Sequence, residues 1–263
     1  MTFSSDWLKL REPADLRARN RILVAHVAAA FAGKVPINVV DLGAGAGATV
    51  KALAPHLPED ARWRLVDNDA ALLSLASWTL PQERLEARCL DLDRALEQAI
   101  EAPADLVTCS ALLDLVSESW LERLIGELGA RGVPFYAALT YDGSTTLTPG
   151  DPLDEPITEA LNQHQHRDKG FGPALGPDAA LLVPEKLKAA GFSVEVGRSD
   201  WLIDDKEPEL ANALLTGWVD AVAETGLIAP PDLGAWRKAR LDAVAAGELT
   251  LRVGHIDLFA RPN

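Results

Sequence analysis

The sequence predicts an α/β fold built on a doubly wound, mostly parallel β-sheet. Short apolar runs typical of buried strands alternate with segments of helical character along the first half of the chain. This alternation is the pattern of parallel sheets that carry helices on both faces. A glycine-rich turn between the first strand and its helix supports the same class. The 263 residues suffice for one large domain with additions to that core.

The elements follow one another regularly as far as about residue 140. A helix over residues 13–32 precedes the first strand, and Gly33 ends it. Apolar runs predict five strands, at 36–41, 62–67, 85–90, 104–109 and 133–140. The helices that connect them are predicted at 46–57, 69–79, 93–101 and 119–130.

The second half departs from this regularity. Residues 141–176 are rich in Gly, Pro, Thr and Asp around one short helix. The remaining predicted elements are helices at 154–166, 177–190, 207–225 and 231–246 and strands at 192–199 and 249–260. We therefore predict one domain over 1–263, divided into an N-terminal helical cap (1–35), a core (36–199 and 248–263) and a helical insertion or lid (200–247).

Charge and cysteine content exclude several classes of protein. The formal net charge is −14, which repels nucleic-acid phosphates and anionic lipid, so neither nucleic acid nor a membrane is an expected partner. The two cysteines, Cys89 and Cys109, fall in predicted core strands and behave there as small apolar residues. No His or Cys spacing indicates a metal site.

An apolar run at residues 22–32 is not interpreted as a signal peptide or an anchor. Acidic residues at positions 6, 12 and 15 precede it, where a signal peptide needs basic ones. The run is also too short to span a bilayer. We therefore expect a cytoplasmic protein.

The most informative stretch is Val-Val-Asp-Leu-Gly-Ala-Gly-Ala-Gly at residues 39–47. Gly43 permits a tight turn, and Gly45 leaves no Cβ between the backbone and a ligand. Gly43, Gly45 and Ala48 also satisfy the dinucleotide fingerprint G-x-G-x-x-G/A. Asp41 distinguishes a dinucleotide site from a site for a cationic ligand, because a carboxylate at the strand end repels a diphosphate and attracts a cation.

The pattern acid-x-Gly-x-Gly-x-Gly resembles the first motif of the class I S-adenosylmethionine-dependent methyltransferases. Asp41, Gly43, Gly45 and Gly47 match it in full. The resemblance covers most of 36–199 and 249–260, and it implies a seven-stranded sheet whose last strand is antiparallel. It also implies that these four residues hold the methionine end of S-adenosylmethionine.

The resemblance extends to the ends of the next two strands. Asp67 and Asn68 follow the second strand about 20 residues after the glycines, where an acid meets ribose hydroxyls. After the third strand, the family places an acid near the adenine amino group and the next backbone unit beside the ring. Asp91 and Leu92 occupy these positions, although Asp93 leaves open which of the two acids caps the following helix.

Residues 105–116 resemble the family's fourth motif, where the strand opens beside the transferable methyl group. Ser110 lies at the end of this strand. Asp114, one turn further, is expected either to face the acceptor or to be a solvated or capping acid. The stretch lacks the Asn-Pro-Pro-Tyr type of sequence that marks enzymes acting on nucleic-acid or protein amide nitrogens. A small-molecule acceptor is therefore the expected partner.

Methyl transfer to a heteroatom mainly requires alignment of donor and acceptor. A base is needed only where the acceptor must lose a proton. Candidates follow the fifth strand: Tyr141 at its end, and His166, with His164 as the alternative histidine. The connections 141–176 and 200–247 leave the sheet at its ligand-binding edge, so they are expected to wall the acceptor pocket.

The sequence thus predicts an S-adenosylmethionine-dependent O- or N-methyltransferase of a small molecule. One alternative is an NAD(P)-dependent oxidoreductase, which Asp41 and the lack of a Tyr-x-x-x-Lys pair disfavour. A second is a non-catalytic S-adenosylmethionine-binding protein, which the undistinctive fourth motif leaves open. A homodimer is compatible with the sequence and is not indicated by it.

Overall fold

Eight strands form one sheet at the centre of the computed structural model, which describes residues 4–263. They are β1 (Asn38–Leu42), β2 (Arg62–Asp67), β3 (Leu85–Cys89), β4 (Leu106–Ser110), β5 (Phe135–Thr148), β6 (Phe192–Arg198), β7 (Trp201–Ile203) and β8 (Thr250–Pro262). Their order across the sheet is β3-β2-β1-β4-β5-β8-β6, and β7 pairs with β8 beside this path.

The strand directions confirm the predicted fold class. Strands β1 to β5 pair in parallel. The last strand, β8, runs antiparallel between β5 and β6. The short strand β7 was not predicted, and it occupies the start of the segment that the sequence indicated as helical.

Helices cover both faces of the sheet. They are α1 (Ser5–Ala18), α2 (Arg21–Phe31), α3 (Ala48–Leu53), α4 (Ala70–Ala76), α5 (Leu92–Ala99), α6 (Glu118–Arg131), α7 (Asp154–Gln165), α8 (Ala179–Ala189), α9 (Pro208–Thr225) and α10 (Pro230–Ala245). Because side chains alternate along a strand, the adjacent residues Val39 and Val40 belong to two different apolar clusters, one on each face. Each face of the sheet therefore has its own core.

The predicted helix 13–32 is wrong in its extent, because two helices occupy this region. The break lies at Arg19 and Asn20. The Asn20 side chain accepts hydrogen bonds from the backbone N–H groups of Ile22 and Leu23 and so caps α2. The backbone N–H of Asn20 donates to the Asp257 carboxylate at 2.9 Å, so the break between the two helices is connected to β8.

Two further expectations need correction. Residues 141–148 were predicted as irregular, but they continue β5, and Thr145–Thr148 pair with β8. β-branched threonines suit this extended edge of the sheet. Cys89 is exposed rather than buried, because β3 is the edge strand, whereas Cys109 is buried as predicted.

The predicted insertion is fixed to the rest of the molecule by buried polar contacts. In α10, Trp236 Nε1 donates to Asp154 Oδ1 at 2.8 Å. The nearly buried Arg240 guanidinium lies 3.0 Å from the same carboxylate and donates to the Pro149 carbonyl at 2.6 Å. Within residues 4–263, none of the helices combines the length and apolar character needed to cross a bilayer.

Candidate functional site

The site lies where the strand order changes direction, beyond the carboxyl ends of β1, β2 and β4. Strand β1 has β2 on one side and β4 on the other, and such a switch point opens a crevice in α/β sheets. We call this crevice the glycine-loop cavity. Its walls come from α1, the loop after β1, the ends of β2, β3 and β4, and residues 169–171.

Seven of the nine residues predicted to hold a cofactor line this cavity. They are Gly43, Gly45, Asp67, Asn68, Asp91, Leu92 and Ser110. Asp41 and Gly47 are not among the lining residues. The topology brings the seven together because each follows a strand whose carboxyl end reaches the same edge of the sheet.

The glycine loop adopts the left-handed backbone that its composition favours. Gly43 and Gly45 have φ of 64° and 52°. A Cβ at Gly45 would lie 3.5 Å from Leu8 Cδ1 of α1, so the loop and the helix approach closely across the cavity. Gly47 has a packing role, since a Cβ there would meet Thr79 Cγ2 at 3.1 Å.

Asp67 organises the loop as well as facing the cavity. Its Oδ2 accepts a hydrogen bond from the Gly45 N–H at 2.8 Å, and its Oδ1 accepts from the Asp69 N–H at 2.9 Å. Asp69 in turn caps α4. The carboxylate is thus held at the strand end with lone pairs left for a ligand.

The structure settles which acid caps α5. Asp91 is the N-cap, and its side chain accepts from the Asp93 N–H at 3.0 Å. Asp91 also lines the cavity, so capping and ligand contact are compatible at this position. The Leu92 carbonyl accepts from Trp120 Nε1 at 2.8 Å, which fixes this backbone against α6.

Ser110 is held by a buried guanidinium. Arg19 is 5% exposed, and its Nη2 donates to Ser110 Oγ at 3.0 Å. Asp257, fully buried on β8, accepts from Tyr136 Oη at 3.0 Å and from the Leu139 N–H at 2.9 Å. These polar contacts connect the break between α1 and α2, at Arg19 and Asn20, to the carboxyl end of β4 and to β8.

Asp41 is fully buried behind the loop. Thr108 Oγ1 donates to its Oδ1 at 2.8 Å. Burial raises the pKa of Asp41 to about 7, against the opposing effects of the Thr108 and Thr49 hydroxyls and of Arg19. Thr49 lines the cavity, so the carboxyl group lies just behind the cavity wall.

A second cavity, of about 350 Å³, adjoins the first. We call it the aromatic cavity, because Trp7, Tyr141, Trp201, Trp218 and His255 line it together with leucines of α7, α9 and the end of β4. The two cavities share the residues Arg11, Ala111, Leu115 and Lys169. Ala111 has a φ of 49°, which turns the chain sharply at their junction.

Two of the three predicted catalytic residues lie in the aromatic cavity. Tyr141 Oη donates to Asn162 Oδ1 at 2.9 Å, and burial raises the pKa of this phenol. Asp114 has a buried Oδ1 with no hydrogen-bond partner within residues 4–263, and burial raises its pKa to about 6. Tyr141 is therefore a hydrogen-bonding wall group, whereas Asp114 is a carboxyl group that exchanges a proton near neutral pH.

His166 is not brought to either cavity. Its Nδ1 lies 3.3 Å from the Ala174 carbonyl and its Nε2 4.0 Å from Asp178. His164 lines the aromatic cavity instead, with Nε2 3.2 Å from Glu224 Oε2. Residues two apart on a helix point about 200° away from each other, so only one of the two histidines can face the cavity.

Sequence reasoning missed the residues that α1 and β8 contribute. Arg11 pairs with Asp15 at 2.9 Å, and its guanidinium carbon lies 5.1 Å from the Trp201 ring centroid. Asp15 also accepts from Trp201 Nε1 at 3.0 Å. His255 is 7% exposed and packs 5.1 Å from the same ring. The one signal for His255 was its place in the last strand, next to the strand whose end was predicted to line the pocket.

The glycine-loop cavity is predominantly acidic. Five carboxylates line it, those of Glu12, Asp15, Asp67, Asp69 and Asp91, against two cationic side chains, Arg11 and Lys169. Within residues 4–263 no group of three His, Cys, Asp or Glu side chains is arranged to hold a metal ion. The electrostatics of this cavity favour an organic cation over a diphosphate.

Comparison with known proteins agrees with this architecture. Residues 39–131 match the model of a methyltransferase domain, whereas no curated protein matches the sequence. Among solved structures, the mycolic acid cyclopropane synthase CmaA1, complexed with S-adenosylhomocysteine and CTAB, aligns with a TM-score of 0.54 and 15% identity over 98% of this chain and 94% of that one.

Two other structures show the same fold. YjhP from Escherichia coli has a TM-score of 0.51 and 15% identity over 97% and 98% of the two chains. The cyclopropane synthase MmaA2 from Mycobacterium tuberculosis has a TM-score of 0.50 and 12% identity over 98% and 95%. The match to a methyltransferase domain thus covers residues 39–131, and the solved structures share the fold of nearly the whole chain, including the strand order that places the glycine loop at the switch point.

Proposed function

We propose that the protein transfers the methyl group of S-adenosylmethionine to an oxygen or nitrogen atom of a small molecule. The glycine-loop cavity is assigned to the cofactor and the aromatic cavity to the acceptor. The observation that carries this assignment is their junction: four residues, Arg11, Ala111, Leu115 and Lys169, line both cavities. A donor in one cavity would therefore lie beside an acceptor in the other.

The shape and the charge of the glycine-loop cavity support this assignment of the cofactor. The missing Cβ atoms at Gly43 and Gly45 leave the backbone open to a ligand. We assign the ribose hydroxyls to Asp67, which two backbone N–H groups hold, and the adenine to Asp91 and Leu92 on the cavity wall. When bound, S-adenosylmethionine supplies a methyl group on a positively charged sulfur.

The acidic lining also weighs against an NAD(P)-dependent oxidoreductase. A diphosphate in this cavity would face five carboxylates, two of them, Glu12 and Asp15, brought by α1. Glu12 and Asp15 are themselves held in ion pairs, at 2.7 Å to Lys51 and 2.9 Å to Arg11. These acids are therefore fixed features of the wall.

The aromatic cavity supports a compact acceptor with an apolar or aromatic body. Three tryptophans and a tyrosine offer flat apolar surfaces, which bind rings at low entropic cost. Asp114 is the carboxyl group that would receive a hydrogen bond from the acceptor. The roles of Asp114, Tyr141 and the cofactor residues are proposals that rest on this placement.

The first test is calorimetric titration with S-adenosylmethionine and S-adenosylhomocysteine, with NAD(H) in parallel. We expect heat with the first two, and Asp67→Ala should weaken binding about 10- to 100-fold, because hydrogen bonds to a charged group contribute about 1.5–3 kcal/mol. Asp67→Asn keeps one acceptor oxygen and should lose less. The exposed Asp60→Ala is the matched control.

Binding of NAD(H), with no heat from either sulfur compound, would overturn the proposal. Release of S-adenosylhomocysteine on incubation with small hydroxyl, amino and carboxyl compounds then identifies the acceptor atom. A protein that binds the cofactor tightly, with its acceptor cavity closed to every such compound, would instead be a non-catalytic binder.

A further inference from the structure

His255 has a fixed tautomer inside the aromatic cavity. Its Nδ1 lies 3.1 Å from the Val253 carbonyl oxygen, within the same strand. A carbonyl oxygen can only accept a hydrogen bond, so Nδ1 carries the hydrogen and Nε2 carries the lone pair. Within residues 4–263 the ring forms its hydrogen bond through Nδ1 and none through Nε2, and it lines the cavity. The imidazole thus presents a proton acceptor to whatever occupies that space.

Aromatic rings lead from the cavity junction to His255. Arg11, which belongs to both cavities, lies over the Trp201 ring at 5.1 Å. Trp201 in turn lies 5.1 Å from the His255 ring, and Tyr141 flanks it at 6.1 Å. These rings leave the imidazole 7% exposed, on the wall of the acceptor space.

Burial, together with the charge of Arg11, keeps His255 neutral. Burial, followed by the positive charge of Arg11 from α1, lowers its pKa to about 4. The Val253 carbonyl and the carboxylates of Asp142 on β5 and Asp200 before β7 act in the opposite direction and do not outweigh burial. The lone pair on Nε2 is therefore available throughout the physiological pH range.

Two other polar groups of the cavity are already engaged with neighbouring side chains. The Tyr141 hydroxyl is engaged with Asn162, and the His164 imidazole faces Glu224. Burial raises the pKa of Asp114 to about 6, against the opposing charges of Arg11 and Lys169, so this carboxylate is the competing base that the variants below distinguish from His255. The same two cations disfavour entry of an acceptor that carries an ammonium group.

We propose that His255 is the general base for methylation of an uncharged hydroxyl compound, such as a phenol, in the aromatic cavity. The inference rests on the proposed function and specifies its acceptor. As the acceptor oxygen bonds to the methyl carbon, the carbon–sulfur bond breaks with its electron pair left on sulfur. The hydroxyl proton passes to Nε2. The positive charge on sulfur disappears as the imidazolium forms, so the net charge of the two cavities is unchanged and protonation of His255 becomes easier.

The first test reads the imidazole directly and needs no turnover. Nitrogen-15 NMR of the S-adenosylhomocysteine-bound protein should show a neutral ring at neutral pH with hydrogen on Nδ1 only. Adding phenol should shift the Nε2 resonance. A protonated Nε2, or a charged ring at neutral pH, would overturn the proposal even if the cofactor binds normally.

The second test uses variants of His255. In His255→Asn the side-chain amide can still donate to the Val253 carbonyl, but the basic nitrogen is lost. We expect binding of S-adenosylhomocysteine to be unchanged, since His255 does not line the glycine-loop cavity. With phenols that turn over, kcat should fall about 100-fold or more. Acceptors already ionised in solution, such as 4-nitrophenol at high pH, should lose much less.

Equal losses with ionised and un-ionised phenols would reveal a structural role for His255 and refute it as a base. Asp114→Asn provides the comparison: a larger loss there, with the same dependence on acceptor ionisation, would assign the base to Asp114 instead. If the wild-type protein binds neither S-adenosylmethionine nor S-adenosylhomocysteine, the proposed function itself has failed, which the calorimetry reports separately.

Discussion

Replacing Asp41 by Asn should stabilise the protein at neutral and alkaline pH. The carboxyl group is fully buried, and its pKa is raised from 3.8 to about 7, chiefly by burial. Because the native state binds this proton more tightly than the unfolded chain does, the free energy of unfolding falls as pH rises from about 4 to about 7. Asparagine has no proton to lose and escapes this penalty.

The shift sets the size of the effect. A difference of one pKa unit corresponds to 1.36 kcal/mol, so the full change amounts to about 4 kcal/mol as an upper bound. The Asn oxygen can still accept from Thr108 Oγ1, which donates to Asp41 Oδ1 at 2.8 Å. The difference in the free energy of unfolding between variant and wild type should therefore be small near pH 4 and largest above about pH 7.

Urea unfolding at several pH values measures this difference. With an m-value of about 3 kcal/mol/M, a gain of about 4 kcal/mol moves the midpoint by about 1 M. Asp60→Asn, at an exposed turn, should show no pH-dependent difference. An Asp41→Asn variant whose advantage is equal at acid and alkaline pH, or which is less stable at alkaline pH, would refute the reasoning.

Two further substitutions probe the loop and the insertion. Gly45→Ala should weaken S-adenosylhomocysteine binding in calorimetry, because φ at Gly45 is 52° and the new Cβ would lie 3.5 Å from Leu8 Cδ1. Gly33→Ala is the control. Gly33 also has a positive φ, but no atom lies within 4 Å of its Cβ position, so this variant should lower stability without changing the affinity. Arg240→Met removes a buried guanidinium 3.0 Å from Asp154 and should cost about 3–5 kcal/mol in urea unfolding, since Asp154 loses its cation and keeps only neutral donors such as Trp236 Nε1. A cost below about 1 kcal/mol would show that the insertion is held by its apolar contacts.

The cofactor side of the site could be predicted because its signals are local. The glycine loop and Asp67 each follow an apolar strand, and parallel strands bring their carboxyl ends to one edge. Chain topology alone therefore gathers these residues. The sequence also puts Asp41 at the end of the first strand, but its separation from the cavity depends on how the following loop folds over it.

The acceptor side could not be predicted in the same way. Trp7 and Arg11 lie on a mostly polar helix, which in sequence resembles a solvated surface helix. His255 reaches the cavity through an antiparallel strand more than 200 residues after the glycine loop. His164 and His166 differ only by helical phase, and a shift of two positions moves a side chain to the opposite face. Such details depend on docking of distant elements rather than on local pattern.

Helix α1 forms part of the wall of both cavities: Leu8, Glu12 and Asp15 face one, Trp7 faces the other, and Arg11 faces both. Any ligand that orders this helix therefore prepares the neighbouring cavity as well. Thermodynamic linkage then requires reciprocity: whatever factor S-adenosylhomocysteine adds to the affinity for an acceptor, the acceptor adds to the affinity for S-adenosylhomocysteine. The helix gives the protein a way to prefer the ternary complex over either binary one.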